Sequence, residues 1–210
     1  MSGAPGNTEK KVCIHGDPPQ LTVTLPSPED VTAATRHQDD ASLPVDVLLL
    51  AVKECEFLAC YSQLVMPFRC WFKNVGYVYF EDTSDEKVKV ALITCYEGAG
   101  VPGGALMTVK NAAAELRPKA VITVGACSSL NPHRAKLGDV VVSSKVTTYA
   151  SKVVTGNQEQ STGMRSYVSG GFLKIIKHTP YGFKAPLQDL QAHKIKVHCD
   201  GEFLSGPEVV

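Results

Sequence analysis

The chain has 210 residues and is 44% hydrophobic, enough for one α/β domain, or one domain and a tail, around a sizeable core. Its 21 Lys and Arg balance its 21 Asp and Glu, so the formal net charge is zero and no basic stripe points to nucleic acid or anionic lipid. The opening stretch, MSGAPGNTEKK, is polar and lacks the apolar centre of a signal peptide, and later apolar runs fall far short of the ~20 residues of a membrane span.

Residues 1–44 are rich in Pro, Ser, Thr, Asp and Gly and read as a flexible N-terminal segment or linker, with LTVTLP as one edge strand inside it. VDVLLLAV is a continuous apolar run, as expected of a strand buried on both faces. KECEFLACYSQLVM follows with helical apolar spacing and is stopped by Pro67. VGYVYFED and KVKVALITCY read as strands joined by the turn TSDE, with Trp71 and Phe72 just before them as packing or oligomer surface. After a glycine-rich stretch, ALMTVKNAAAEL is a strong helix, with Leu106, Val109, Ala113 and Leu116 on one side and Pro118 beyond its end. KAVITVGA is a further buried strand, and LGDVVVSSKVTTYA is a long one entered through a turn at Gly138-Asp139. Residues 151–180 read as a polar, Gly-rich loop, LQDLQAHK as a short helix, and IKVHCDGEFLSG as a strand that ends in a loop.

Strands alternating with helices predict a three-layer α/β/α fold with a mixed, largely parallel central sheet. Ligands of such sheets bind beyond the carboxyl ends of the strands. Three stretches fall there: KECEF, EGAGVPGG and GACSSLNP. In the second, Gly98, Gly100, Gly103 and Gly104 allow close backbone approach, and the following helix directs its first N–H groups at the loop, which suits an anion or a sugar. No Gly-Lys-Ser/Thr follows, and Pro102 interrupts the dinucleotide-type glycine spacing, so a plain strand-to-helix corner competes with a ligand loop. In the third, Cys127, Ser128 and Ser129 offer amides and hydroxyls, with a Ser-rich turn as the competing reading. In the first, Glu54 and Glu56 sit in the first turn of a helix, where the dipole alone favours acids; the functional alternative is a carboxylate that orients a water or a hydroxyl.

Seven cysteines, an odd number with no Cys-x-x-Cys pair, sit mostly in apolar runs and read as reduced core thiols of a cytoplasmic protein, without a metal or redox role. His133 reads as a solvated turn residue, and His178, His193 and His198 show no partner in the sequence.

Taken together, DVLLLAVKECEF, ALITCYEGAGVPGGA, RPKAVITVGACSSLNPHRAKLGDVVVSSKV and GEFLSGPEVV resemble the nucleoside phosphorylase and nucleosidase superfamily, over about Pro44 to Val210. The resemblance implies a phosphorylase/hydrolase-like domain at 45–210, incomplete at its C-terminus. It implies cleavage of the N-glycosidic bond of a purine nucleoside through an oxocarbenium-like sugar, with no cofactor and no metal. It also implies a homo-oligomer. It assigns the water-activating carboxylate to Glu56, with Glu54 second, and the substrate contacts to Gly98, Ala99, Gly100, Gly125, Ala126, Cys127, Ser128, Phe203, Ser205 and Val209. Where phosphorylases of this group carry an Arg, this chain has Thr123, and where the group has a Ser it has Ala126; losing the Arg removes the main partner of a phosphate dianion, so water is favoured over phosphate. Pro102 matches the phosphorylase form of the loop. The family's ribose-binding Met-Glu segment and base-protonating Asp would lie beyond Val210, so the 210-residue chain alone is expected to be inactive. The rival reading is a catalytically impaired, nucleoside-sensing module of a larger signalling or innate-immune protein; a dinucleotide-binding oxidoreductase is far weaker.

Overall fold

The computed structural model describes residues 20–82, 88–131, 133–148, 152–155, 158–161, 164–190 and 194–205, with no side-chain detail over 152–161 or at Ser205. They fall into two compact units, 24–128 and the described parts of 1–23 and 129–210.

The first unit is built on a six-stranded sheet. Its elements in chain order are β1 (Ala34–Arg36), β2 (Val47–Ala51), α1 (Glu54–Tyr61), β3 (Phe68–Phe72), β4 (Gly76–Phe80), β5 (Val90–Thr94), α2 (Ala105–Leu116) and β6 (Ala120–Val124), with sheet order β1-β3-β4-β5-β2-β6. β2 pairs in parallel with both β5 and β6, and β1 with β3, whereas β3–β4 and β4–β5 are antiparallel, so the sheet is mixed. The pleat of the VLLLA run explains the layering. Leu48 and Leu50 join Ala91, Ile93, Ala112 and Leu116 in one core cluster, while Ala51 and Leu92 join Phe57, Cys60 and Tyr61 in another. One face is therefore covered by α2 and the other by α1, giving the expected α/β/α layers.

α2 lies where the sequence places it and closes on Arg117 in the left-handed conformation, with Pro118 beyond. α1 ends earlier than the Pro67 signal, at Tyr61, where the Ser62 hydroxyl donates to Ala59 O at 2.8 Å. β3 is an extra strand: Phe68, Cys70 and Phe72 point inward and Trp71 outward, a period-2 pattern the sequence did carry. KAVITVGA is a strand, but an edge strand rather than a buried one, with Val121 and Ile122 both exposed. Within the N-terminal segment read as flexible, β1 joins the sheet; LTVTLP forms no strand, and Leu21 makes a single bridge to Leu187.

The second unit holds β7 (Val140–Thr148), β8 (Lys152–Thr155), β9 (Gln158–Ser161), β10 (Arg165–Tyr167), α3 (Gly170–His178) and β11 (Val197–Ser205). β10 and β11 flank β7, antiparallel and parallel respectively, and β8 pairs with β9. The stretch 151–180, read from its glycines as a loop, thus carries strands and a helix. Ser169 caps α3 by accepting from Phe172 N, so Gly170 and Gly171 mark a helix start. Residues 187–190 of the expected helix LQDLQAHK are not helical, and 191–193 lie outside the described residues. β11 continues as a strand to Ser205, where the sequence suggested a loop.

The starts of β7 and β11 are tied by Asp139. It accepts from Lys196 N at 2.9 Å, Lys136 N at 3.0 Å and His198 Nε2 at 2.8 Å, a histidine partner not visible in the sequence. The His198 bond, then the two amides, pull its carboxyl down to about 2 from an ordinary 3.8. Because the folded value is depressed, the stabilisation is complete above pH 3.8 and lost as pH falls toward 2. Asp139→Asn is expected to lower stability at pH 7 by about 1–3 kcal/mol in denaturant unfolding, since the amide cannot serve all three donors, and that deficit should shrink as pH falls through this window.

Candidate functional site

β5, β2 and β6 run parallel side by side, and Ala51 is in register with both Thr94 and Val124. The three segments that follow them therefore leave the sheet at one end, in the order glycine loop, α1 entrance, and the Gly125–Ser128 stretch. All three belong to the first unit.

Glu56 is the residue that joins two of these exits. It occupies the third position of α1 and reaches back over the helix start, its Oε2 accepting from Lys53 N at 2.9 Å and Val52 N at 3.2 Å. This is the carboxylate half of a capping box. Its Oε1 accepts from Ala126 N at 3.0 Å, across 70 positions of sequence. Gly125 lies directly against it: a Cβ there would stand 3.2 Å from Oε1. Partial burial opposes ionisation, but the amides of Lys53, Ala126 and Val52 outweigh it and hold the carboxyl below the usual glutamate value. A carboxylate offers about four lone-pair sites. With three filled by backbone donors, one remains for a further donor. Glu54, the second candidate, is exposed at the first helical position and makes no such bridge.

The glycine loop closes on itself. Tyr96 N donates to Gly103 O at 2.9 Å and Gly104 N to Val101 O at 2.8 Å. Ala105 N and Leu106 N, the first two amides of α2, donate to Gly98 O at 3.3 Å and Ala99 O at 3.1 Å. The amides expected to face an anion are thus occupied by the loop's own carbonyls. Gly98 and Gly103 take φ of 98° and 74°, and a Cβ on Gly104 would run into the carbonyl oxygen of Gly98. Much of the glycine content is accounted for by this tight closure, and Gly98, Ala99 and Gly100 remain exposed along its outer side.

Beyond β6, Gly125, Ala126, Cys127 and Ser128 are all exposed. Thr123 is an exposed residue of β6 in register with Leu50. Phe203 and Ser205 lie on β11 of the second unit, Phe203 half-buried and in register with Val146; Val209 lies outside the described residues. Of the cysteines, Cys60, Cys70 and Cys95 are core residues whose thiols burial pushes up, whereas Cys55 and Cys127, beside Glu56 and Ala126, are exposed. Among the described residues no cluster of His, Cys, Asp or Glu gathers to hold a metal ion, and no helix is long and apolar enough to cross a membrane. The partners of Glu56 are backbone amides, which carry no residue signature, so the sequence pointed to the acid but not to what it holds.

The layers and the three loops gathered at the ends of parallel strands make an α/β fold with its candidate site at the strand ends. The chain belongs to the phosphorylase superfamily, whose family model matches residues 74–210. No curated protein sequence matches it. Among solved structures it is similar to the S-adenosylhomocysteine nucleosidase of Streptococcus pyogenes, with a TM-score of 0.55 and 16% identity over 78% of this chain and 64% of that one. It is similar also to the 5′-methylthioadenosine/S-adenosylhomocysteine nucleosidase of Neisseria meningitidis (TM-score 0.51, 16% identity, 79% of this chain and 66% of that one). A third is a futalosine hydrolase mutant of Helicobacter pylori (TM-score 0.53, 10% identity, 80% of this chain and 71% of that one). At these identities the likeness is one of fold, and the chain spans 64% and 66% of the two nucleosidases.

Two outcomes test this geometry. Glu56→Gln turns its new amide toward a backbone N–H on one side or the other, so it should lower stability by about 1–3 kcal/mol in thermal or denaturant unfolding. The wild-type contribution is present above pH 4.5, the ordinary glutamate value, and fades as pH falls through the depressed folded value; the Gln variant should lack that acid-dependent component. Gly104→Ala should cost about 1–3 kcal/mol by forcing the loop open against Gly98 O, visible as faster hydrogen exchange at Ala105 and Leu106.

Proposed function

We propose that the protein acts as a nucleosidase, cleaving the N-glycosidic bond of a purine nucleoside with water, not phosphate, as the nucleophile. The observation that carries this reading is the Glu56 carboxylate, kept ionised by three amides at the mouth of the sheet with one acceptor position left over. That position takes a hydrogen of water and turns the oxygen lone pair toward the sugar. The water oxygen bonds to the anomeric carbon as the bond to the base breaks; the electron pair leaves with the base, a water proton passes to Glu56, and the base takes up a proton from solvent. Occupation of the first α2 amides by Gly98 O and Ala99 O, and Thr123 in place of an Arg, leave a phosphate dianion few donors there. The exposed backbone of Gly98, Ala99, Gly100, Gly125, Ala126, Cys127 and Ser128 is assigned to the substrate side. Residues 45–210 are read as the phosphorylase-like domain, to whose sheet the preceding segment adds β1.

The Streptococcus pyogenes and Neisseria meningitidis structures hold 5-methylthiotubericidin and methylthio-immucillin-A, which supports a purine nucleoside as the ligand class and supplies a probe. Ala126 and Thr123 depart from the residues the superfamily uses, which favours a second reading as a nucleoside sensor without turnover.

The test is base release by the full-length protein from adenosine and methylthioadenosine, with and without inorganic phosphate, together with calorimetric binding of methylthio-immucillin-A. The nucleosidase reading expects free ribose sugar at a rate indifferent to phosphate, about 10²–10⁴-fold slower in Glu56→Gln. Activity should hold on acidification until below pH 4.5, because Glu56 stays ionised there. Sugar phosphate as the product would overturn the choice of water. Binding without base release would establish the sensor instead.

A further inference from the structure

We infer that the outward face of the β3–β4 hairpin docks an acidic peptide segment of another protein, with an apolar side chain of that segment against Trp71 and Tyr77 and a carboxylate on Arg69. Side chains of the two strands alternate. Phe68, Cys70, Phe72, Val78 and Phe80 are buried in the core, so Arg69, Trp71, Tyr77 and Tyr79 share the opposite face. Phe57 and Tyr61 of α1 cover Tyr79, with ring centroids 5.1 and 5.7 Å away. Trp71 and Tyr77 are left 56% and 43% exposed. A cross-strand aromatic pair steadies a sheet, which explains why the rings meet but not why they stand in water. Trp, Tyr and Arg together are the residue types that anchor protein contacts.

The surface is ordered in advance. Trp71 and Tyr77 are register partners, their rings edge to face with centroids 4.9 Å apart. The Arg69 guanidinium lies 4.4 Å from the Tyr77 centroid, and its Nε donates to Thr35 Oγ1 of β1 at 2.9 Å. The turn of the hairpin is pinned to α2: Asn74 Nδ2 donates to Glu115 Oε1 at 3.1 Å, and Asn111 Nδ2 donates to Asn74 O at 2.8 Å. Little side-chain freedom is left to lose on binding.

Charge identifies the occupant. With Nε engaged, the two Nη groups of Arg69 have no partner among the described residues, and Lys73, exposed in the turn, has none either. Glu81, the first acid beyond Tyr77 along the chain, is four positions on, roughly 13 Å in an extended strand. Glu115 belongs to α2, whose core contacts lie on the opposite face. Two cations without a counter-ion thus stand beside two exposed rings. A carboxylate matches the open Nη pair of Arg69 with two parallel hydrogen bonds, and Lys73 attracts a second acid. A purely apolar partner would cover the guanidinium and leave it unpaired. A single nucleic-acid strand needs a longer cationic track than two side chains, and the chain has a formal net charge of zero.

The emission of Trp71 reads this surface directly, because the chain has no other tryptophan. The 210-residue chain is titrated with a blocked peptide of one phenylalanine between two runs of three glutamates, with its lysine counterpart, and with a version carrying alanine at the centre. A saturable change in emission is expected with the first peptide below about a millimolar, and binding about tenfold weaker or less with the other two. Arg69→Gln should weaken the first peptide about tenfold or more, and Lys73→Glu, which removes no contact of the fold, about two- to fivefold, with circular dichroism melts to verify folding. No saturable change up to a millimolar would overturn the inference, as would equal binding of the lysine peptide or tighter binding of octathymidylate. An emission that shifts with protein concentration alone would put a second copy on the face and overturn it too. So would unaltered affinity in folded Arg69→Gln or in Lys73→Glu.

Discussion

The carboxylate of Glu56 is the point on which the candidate site depends. Backbone amides from two chain segments 70 positions apart converge on it, and they can do so only because β2 and β6 are parallel neighbours in register. β2 is buried on both faces, with α1 on one side and α2 on the other, and β6 pairs in parallel along its remaining edge. Taking an ionised group partly out of water is unfavourable, and three aligned amides offset that cost at the place where two loops must be held together. The same bonds that fix the loops also set the charge state of the acid, so structure and chemistry rest on one set of contacts.

That double role explains why the bland and the functional readings of the KECEF stretch need not compete. An acid in the first helical turn is favoured by the dipole, and Glu56 does cap α1. Yet a simple cap would end at the helix, and Glu56 continues across to Ala126. The glycine loop behaves in the opposite way. Its composition suggested a cradle for an anion, whereas its carbonyls close over the first amides of α2 and leave little of the helix terminus to a ligand. What stays exposed is the outer backbone of Gly98 to Gly100.

Legibility followed the physics of each signal. VDVLLLAV and ALMTVKNAAAEL were clear because burial on both faces and helical periodicity are local properties, and α2 occupies its expected span. The FRCWF strand was equally periodic but was overshadowed by its neighbour VGYVYFED. Glycine misled at residues 170–171, since a helix start and a loop draw on the same residue type and only the Ser169 cap separates them. For KAVITVGA, composition could not separate a central strand from an edge strand, because position in the sheet depends on pairing with β2 alone.

By itself the sequence determined the α/β class, the two best elements and the three loop segments, and it marked Glu54 and Glu56 as candidate acids, because each rests on residue type and spacing within a short window. Only the tertiary structure decided that Glu56 rather than Glu54 reaches Ala126, that the loop amides are closed from within, and that Asp139 finds His198. Those facts depend on backbone groups and on strand register. A backbone amide is the same in every residue but proline, so the letters of a sequence carry no mark of which amides will meet which carboxylate.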